Sequence, residues 1–209
     1  MDAIIPTPVL DWLDLAGVAV FALSGALAAA RERQTFVTMA FFALLTGVGG
    51  GTVRDLLIDA PVFWVHDRWV AAVCVATAVI VWVAPLHLWP AKLLDYADGL
   101  GLTAYAVLGS AKALSYGIPP VPAFVMGVVT GCAGGIIRDV IAGRPSIIMR
   151  PELYVTAAAL SAALCVASDA LGLVRWAGWI AAALAGFLLR TAAIRWQLAL
   201  PAYDLERRR

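Results

Sequence analysis

Two arginine–aspartate dipeptides, Arg54-Asp55 and Arg138-Asp139, each close a run of glycines inside an otherwise apolar stretch. The first run holds Gly47, Gly49, Gly50 and Gly51, the second Gly131, Gly134 and Gly135. A charge at the centre of a bilayer costs at least ~2.5–3.5 kcal/mol even on lenient scales, so such groups must be paired or wet. Their chemistry is electrostatic: they hold partner charges, or they set the potential along a path for ions. Adjacent residues do not face the same way on a helix. Two ion pairs are therefore expected, Asp14 with Arg54 and Asp98 with Arg138, as structural clasps or as the charge of two vestibules. Asp55 and Asp139 are then left to meet passing cations.

Few other residues have chemical potential. Lys112 stands alone among apolar residues, and its ammonium either snorkels to the interface or faces the path and responds to voltage. Ser24, Thr46, Ser110, Thr130 and Tyr105 are the mild polar groups available to line a path or to bond between helices. His66 and His87 are too far apart in the sequence to suggest a metal site. Cys74, Cys132 and Cys165 are odd in number, lie in apolar stretches and read as small buried hydrophobes. No nucleophile with its base, phosphate loop or zinc motif is present, so neither an enzyme nor a cofactor is expected.

The elements that must carry these residues are set by composition. Of 209 residues 63% are apolar and 14% charged, with a mean hydropathy of +0.89. Soluble domains are ~45–50% apolar and ~25% charged, and a small globule still needs a polar surface. A soluble enzyme and a disordered chain are both excluded by these figures. A net charge of +1 gives no reason to expect nucleic acid as a partner. The chain reads as one all-α transmembrane domain over 1–209. Charge and proline clusters separate seven apolar runs, roughly 12–30, 35–57, 69–86, 97–115, 120–142, 152–170 and 176–196. A membrane-spanning helix takes ~20 residues. Pro6 and Pro8 are expected to keep the extreme N-terminus irregular. Asp2, Asp11 and Asp14, with no basic residue before Arg31, do not read as a cleavable signal peptide.

Orientation follows the lysines and arginines of the short loops. With the N-terminus outside, the inner side receives Arg31, Arg33, Lys92, Arg138, Arg144, Arg150, Arg190, Arg195 and Arg207 to Arg209, eleven of the fifteen basic residues. Arg54, Arg68, Lys112 and Arg175 remain outside. Arg31, Arg33, Arg144 and Arg150 set topology or meet anionic lipid headgroups. Trp12, Trp64, Trp69, Trp89, Trp176 and Trp196 fall at span ends, as an aromatic belt requires.

An internal repeat is the strongest signal. A displacement of 84 positions aligns Thr46–Asp55 with Thr130–Asp139, six of ten residues being identical. The same offset matches Asp14 with Asp98, Gly17 with Gly101, Gly25 with Gly109 and Pro61 with Pro145. Each copy holds three spans, about 10–86 and 94–170, so the second enters the membrane from the opposite side. The seventh span, about 176–196, stands outside the duplication. Glycine costs ~1 kcal/mol in a helix interior relative to alanine. Its clusters are thus read either as close helix–helix contact or as kinks in helices lining a polar path.

The paired Gly-Gly-Gly-Thr-Val-Arg-Asp and Gly-Gly-Ile-Ile-Arg-Asp segments, the three-plus-three repeat and the seventh helix resemble a prokaryotic member of the TRIC (trimeric intracellular cation) channel family. The likeness covers residues 10–198, although the second cluster, Gly131-Cys132-Ala133-Gly134-Gly135, lacks an uninterrupted glycine triple. The resemblance implies a homotrimer in the bacterial inner membrane. Each subunit would hold its own pore for K⁺ and Na⁺, formed by kinked second and fifth helices. It implies Gly49, Gly50, Gly51, Gly134 and Gly135 as kink residues and draws attention to Lys112 in gating. The same bacterial domain is also described as a glycine transporter, and an inverted repeat suits alternating access as well as a fixed pore.

Overall fold

The computed structural model describes residues 7–84, 88–90 and 92–201. Asp2, Pro6, Pro85, His87 and the Arg207–Arg209 tail lie outside them. Seven α-helices follow in chain order among the described residues: α1 (Thr7–Arg31), α2 (Phe36–Leu57), α3 (Arg68–Val83), α4 (Leu93–Ser115), α5 (Pro120–Ile141), α6 (Val155–Ala170) and α7 (Arg175–Trp196). Four of them, α1, α2, α5 and α7, are long and apolar enough to cross a membrane. At 16 residues each, α3 and α6 reach only ~24 Å at ~1.5 Å per residue. The fourth, α4, carries Asp95, Asp98 and Lys112 and buries most of its length against its neighbours.

Local chemistry explains the boundaries. The Thr35 side chain caps α2 through the Thr38 N–H, and Asp67 caps α3 through the Trp69 N–H at 2.8 Å. Pro120 opens α5 at a position where its missing N–H costs nothing. Contrary to the irregular N-terminus expected from Pro6 and Pro8, α1 begins at Thr7 and includes Pro8, because a first helical turn tolerates proline. Gly117 and Gly143, at φ 77° and 65°, end α4 and α5 in the left-handed conformation that glycine adopts without strain. The tail beyond α7 turns at Gln197 and pairs with the turn before α6, the Leu200 N–H donating to the Pro151 carbonyl at 2.7 Å.

Helices α1 and α2 pack closely, as do α4 and α5, and α2 meets α5 at the centre of the bundle. Small residues set these distances. A Cβ at Gly47 would press on the Val18 carbonyl, and one at Gly131 on the Leu102 carbonyl; both residues of each pair are 84 positions apart from those of the other. At the α2–α5 crossing the contacts are reciprocal: Gly50 faces the Thr130 carbonyl and Gly134 faces the Thr46 carbonyl. Position rises along α2 as it falls along α5, so the two helices cross antiparallel. Arg54 and Arg138, at their C-terminal ends, consequently lie at opposite ends of the bundle.

Both α2 and α5 are continuous helices through their glycine clusters. Their glycines are buried: Gly47, Gly50, Gly131 and Gly134 admit a facing backbone carbonyl, while Gly49, Gly51 and Gly135 admit the side chains of Ile137, Phe63 and Tyr154. The cost of glycine within a helix is offset here by the contact that no other residue permits.

Candidate functional site

At one end of the bundle α1, α2 and α4 assemble a buried cluster of charges. Arg54 Nη1 and Nη2 donate to the two carboxylate oxygens of Asp14 at 3.1 and 3.2 Å, a fork-to-fork pair. Its Nε donates to Asp55 Oδ1 at 2.7 Å, and the guanidinium lies 5.6 Å from the centre of the Phe63 ring. Asp55 Oδ1 also accepts from Lys112 Nζ at 2.8 Å, and its Oδ2 from the Phe63 N–H at 2.9 Å. The Tyr105 hydroxyl donates to the Asp14 carbonyl at 3.2 Å. Arg54 and Asp55 are completely buried. Two cations and two anions leave this cluster neutral.

The opposite end repeats the plan with a different charge. Arg138 Nη1 donates to Asp98 Oδ1 and, at 3.1 Å, to Ser24 Oγ. Its Nε and Nη2 donate to Asp139 Oδ1 at 3.0 and 2.8 Å. Asp139 Oδ2 accepts from the Ile147 N–H at 2.7 Å, and Ile147 stands 84 positions after Phe63, which plays the same part for Asp55. No lysine completes this cluster, because Ala28 occupies the position 84 residues before Lys112. Asp98, Asp139 and Arg138 together carry −1. Tyr154 lies beside Asp98 and Gly135, and Arg190 of α7 sits 5.3 Å over its ring while pairing with Glu152 at 2.8 Å.

A cavity of about 190 Å³ opens next to Asp139, lined also by Asp95, Arg31, Arg138, Arg144 and Arg150. Of the basic residues assigned to this side, Arg144 pairs with Glu32, and Arg150 lies 3.8 Å from Glu152. The six tryptophans expected at span ends divide into two groups. Trp12, Trp69, Trp176 and Trp196 are exposed. Trp64 and Trp89 are half-buried, with their N–H groups donating to Thr52 Oγ1 and the Ala84 carbonyl.

Asp14 lies paired with Arg54, and Asp98 with Arg138. Asp55 and Asp139 are each bound by the neighbouring arginine as well, and Asp139 lines the cavity. The i,i+1 rule describes where Cβ atoms point, and an arginine side chain is long enough to fold its Nε back onto the next residue's carboxylate. Lys112 does not stand alone: its side chain is 12% exposed and bound to Asp55. Ser24 joins the Arg138 cluster, and the Thr130 hydroxyl donates to the Met126 carbonyl of its own helix. Thr46 and Ser110 are buried where α1 meets α2 and α4 meets α5, beside Gly25 and Gly127. His66 is exposed, and no group of three metal-ligating side chains occurs among the described residues. All three cysteines are buried free thiols. Asp55–Lys112, Tyr154 and Arg190 were not singled out by sequence reasoning. A charged residue within an apolar stretch was the available signal for Arg190.

The arrangement holds buried, paired charge at both ends of an apolar bundle. A family model described as "Glycine transporter" matches residues 11–85 and 95–170, once for each copy of the repeat. The UPF0126 inner membrane protein YadS of Escherichia coli is 38% identical over 203 residues, spanning 93% of this chain and 96% of its own. A UPF0126 membrane protein of Vibrio cholerae is 36% identical over 205 residues, spanning 95% of this chain and 84% of its own. Among solved structures, the TRIC trimeric intracellular cation channel orthologue from Rhodobacter sphaeroides superposes with a TM-score of 0.83 at 38% identity, covering 91% of this chain and 99% of that one. With relatives this close matching nearly end to end, and with the buried charges of a membrane bundle in place, the chain belongs to the family of prokaryotic TRIC channels and UPF0126 membrane proteins.

Proposed function

We propose that the protein is a cation channel of the inner membrane, permeable to K⁺ and Na⁺, and that it works as a homotrimer with one path through each subunit. The observation that carries this reading is the placement of two buried charge clusters at opposite ends of the antiparallel helices α2 and α5, joined by a crossing made of backbone and glycine. The Rhodobacter orthologue, at 38% identity, is a cation channel. All seven helices span the membrane in this reading. Helices α1–α3 and α4–α6 form inverted repeats, with the N-terminus outside and the C-terminus in the cytoplasm. The reciprocal Gly50–Thr130 and Gly134–Thr46 contacts support the inversion, since a two-fold axis makes residue i meet j wherever j's equivalent meets i's.

The mechanism follows from charge and packing. In water-poor surroundings a fixed ion pair needs no rearrangement to hold its potential. The outer cluster, with Lys112, is neutral; the inner cluster carries −1 by itself and opens on a cavity also lined by Asp95, Arg31, Arg144 and Arg150, the last two beside Glu32 and Glu152. Neither concentrates enough negative charge to trap a monovalent ion. Gly49, Gly50, Gly51, Gly131, Gly134 and Gly135 let α2 and α5 part or bend at the crossing, which opens the path between the vestibules. Asp55 and Asp139 act through the pairs they form with Arg54 and Arg138 rather than as bare ligands. Basic residues of the inner loops meet anionic headgroups in this orientation.

A second reading, a transporter of a small molecule such as glycine, is favoured by the description of the matching family model. The two diverge under an ion gradient. Purified protein in a bilayer with unequal KCl should give currents that reverse near the K⁺ equilibrium potential. Reversal at the Cl⁻ potential would reject cation selectivity.

A further inference from the structure

Phe21 of α1 and Tyr105 of α4 stand 84 positions apart, so they are the same residue position in the two copies of the repeat. They meet edge to face, with centroids 5.3 Å apart and planes at 74°. Each ring rests on a glycine of the facing helix, Tyr105 on Gly17 and Phe21 on Gly101, and these glycines are themselves 84 positions apart. A Cβ at Gly101 would meet three atoms of the Phe21 ring at 3.1 Å. The contact is thus symmetric about the same local axis as the α2–α5 crossing, and Phe21 also lies 3.5 Å from where a Cβ at Gly134 would be. Both rings are sealed from solvent, at 1% and 0% exposure.

Their depth is what matters. Phe21 follows Asp14 by seven residues, and Tyr105 is seven residues from Asp98 on one side and from Lys112 on the other. Each interval is about 10 Å along a helix, so the pair lies midway between the two charge clusters. At this level the hydroxyl of Thr130 is turned onto its own helix, and α2 and α5 touch through backbone. Thr46, the repeat counterpart of Thr130, is buried beside Gly25 and is the one hydroxyl of the crossing without a hydrogen-bond partner among the described residues. The pair is also polar on one side only: the Tyr105 hydroxyl is tied to Asp14, whereas Phe21 has no hydroxyl to tie it to the Asp98 end. Phe21 is the ring without a tether.

We propose that the Phe21–Tyr105 pair is the hydrophobic barrier of the conduction path, with Phe21 as the ring that moves when α2 and α5 separate. An apolar constriction stops ions by excluding water from a short stretch of the path. The proposal rests on the channel reading and assigns that channel its closed-state seal.

The test is K⁺ efflux from liposomes holding the purified full-length chain, for wild type, Phe21→Ala and Phe21→Leu. Valinomycin sets full release, and elution volume in detergent reports assembly. Removing the ring should raise basal efflux about tenfold, the change made by lowering a barrier about 1.4 kcal/mol, with elution unchanged. Phe21→Leu keeps apolar bulk without the flat ring and should give a smaller rise; it reads the same quantity should the alanine variant fail to assemble. Basal efflux equal to wild type in assembled variants, from protein whose wild type conducts, overturns the barrier and leaves the channel intact. Absence of K⁺ efflux from wild type and both variants overturns the channel reading, and the barrier with it.

Discussion

Substituting Asp14 by Asn should destabilise the protein more than substituting its repeat counterpart Asp98, although sequence alignment makes the two equivalent. Asp14 holds Arg54 through two hydrogen bonds in a cluster whose charges balance. Its neutralisation leaves Arg54 and Lys112 facing Asp55 alone, a buried excess of +1. Breaking a buried pair in this way costs about 3–5 kcal/mol. Asp98 holds Arg138 through one oxygen, in a cluster that carries −1, and Ser24 and Asp139 keep their bonds to the guanidinium. Asp98→Asn leaves Arg138 and Asp139 balanced, so only a charged hydrogen bond is lost, about 1.5–3 kcal/mol. A chain of this size shifts by roughly 2–4 °C per kcal/mol. Asp14→Asn should therefore melt roughly 6–20 °C lower and Asp98→Asn roughly 3–12 °C lower, followed by tryptophan fluorescence in detergent. Adding Arg54→Gln to Asp14→Asn should restore part of the loss, since Asp55 and Lys112 remain paired. If Asp98→Asn is the less stable of the two, or the Asp14–Arg54 double variant melts with the single, the charge balance described here is wrong.

Lys112→Gln removes the ammonium from Asp55 and leaves the cluster of Asp14, Arg54 and Asp55 at −1. In bilayer recordings it should raise open probability and flatten an already shallow voltage response, because one charge crossing the whole field is worth only ~2.3 kcal/mol per 100 mV; unchanged gating at both polarities would remove Lys112 from the conduction account. Leucine at Gly50 and Gly134 together should abolish efflux in any protein that still assembles, as each side chain would enter the carbonyl of the facing helix; wild-type efflux would show that the crossing is not on the path. Arg190→Gln should loosen the pairing with Glu152 and speed proteolysis of the tail after Gln197, with equal cleavage rates speaking against α7 as the anchor of that turn. Maleimide should label none of Cys74, Cys132 and Cys165 in native protein and all three after denaturation, and rapid native labelling would contradict their burial.

Much of the bundle was legible because apolar runs broken by charge and proline mark membrane helices directly. The start of α1 was not, since Pro8 signals irregular backbone except in the one turn that accepts it. The Asp14–Arg54 and Asp98–Arg138 pairs could be inferred because a buried charge demands a partner and the repeat offered the same one twice. Asp55–Lys112 was hidden by the 57 positions between its members, and by a helix rule that speaks of Cβ directions and ignores the reach of arginine. The glycine clusters were readable as special but not as to purpose. The same sequence serves a kink or a close crossing, and only the facing carbonyls of Thr46 and Thr130 show the contact made. Phe21 and Tyr105 share a register in the repeat, yet nothing local says that two aromatic rings on different helices will meet on its axis.

The central claim is conduction, and single-molecule recording in a planar bilayer tests it most directly. Purified wild-type protein in symmetric KCl should give discrete openings, each passing far more ions per second than any alternating-access cycle delivers, and the openings should persist when Na⁺ replaces K⁺. Saturable uptake of glycine into proteoliposomes, with no unitary currents from the same preparation, would contradict it.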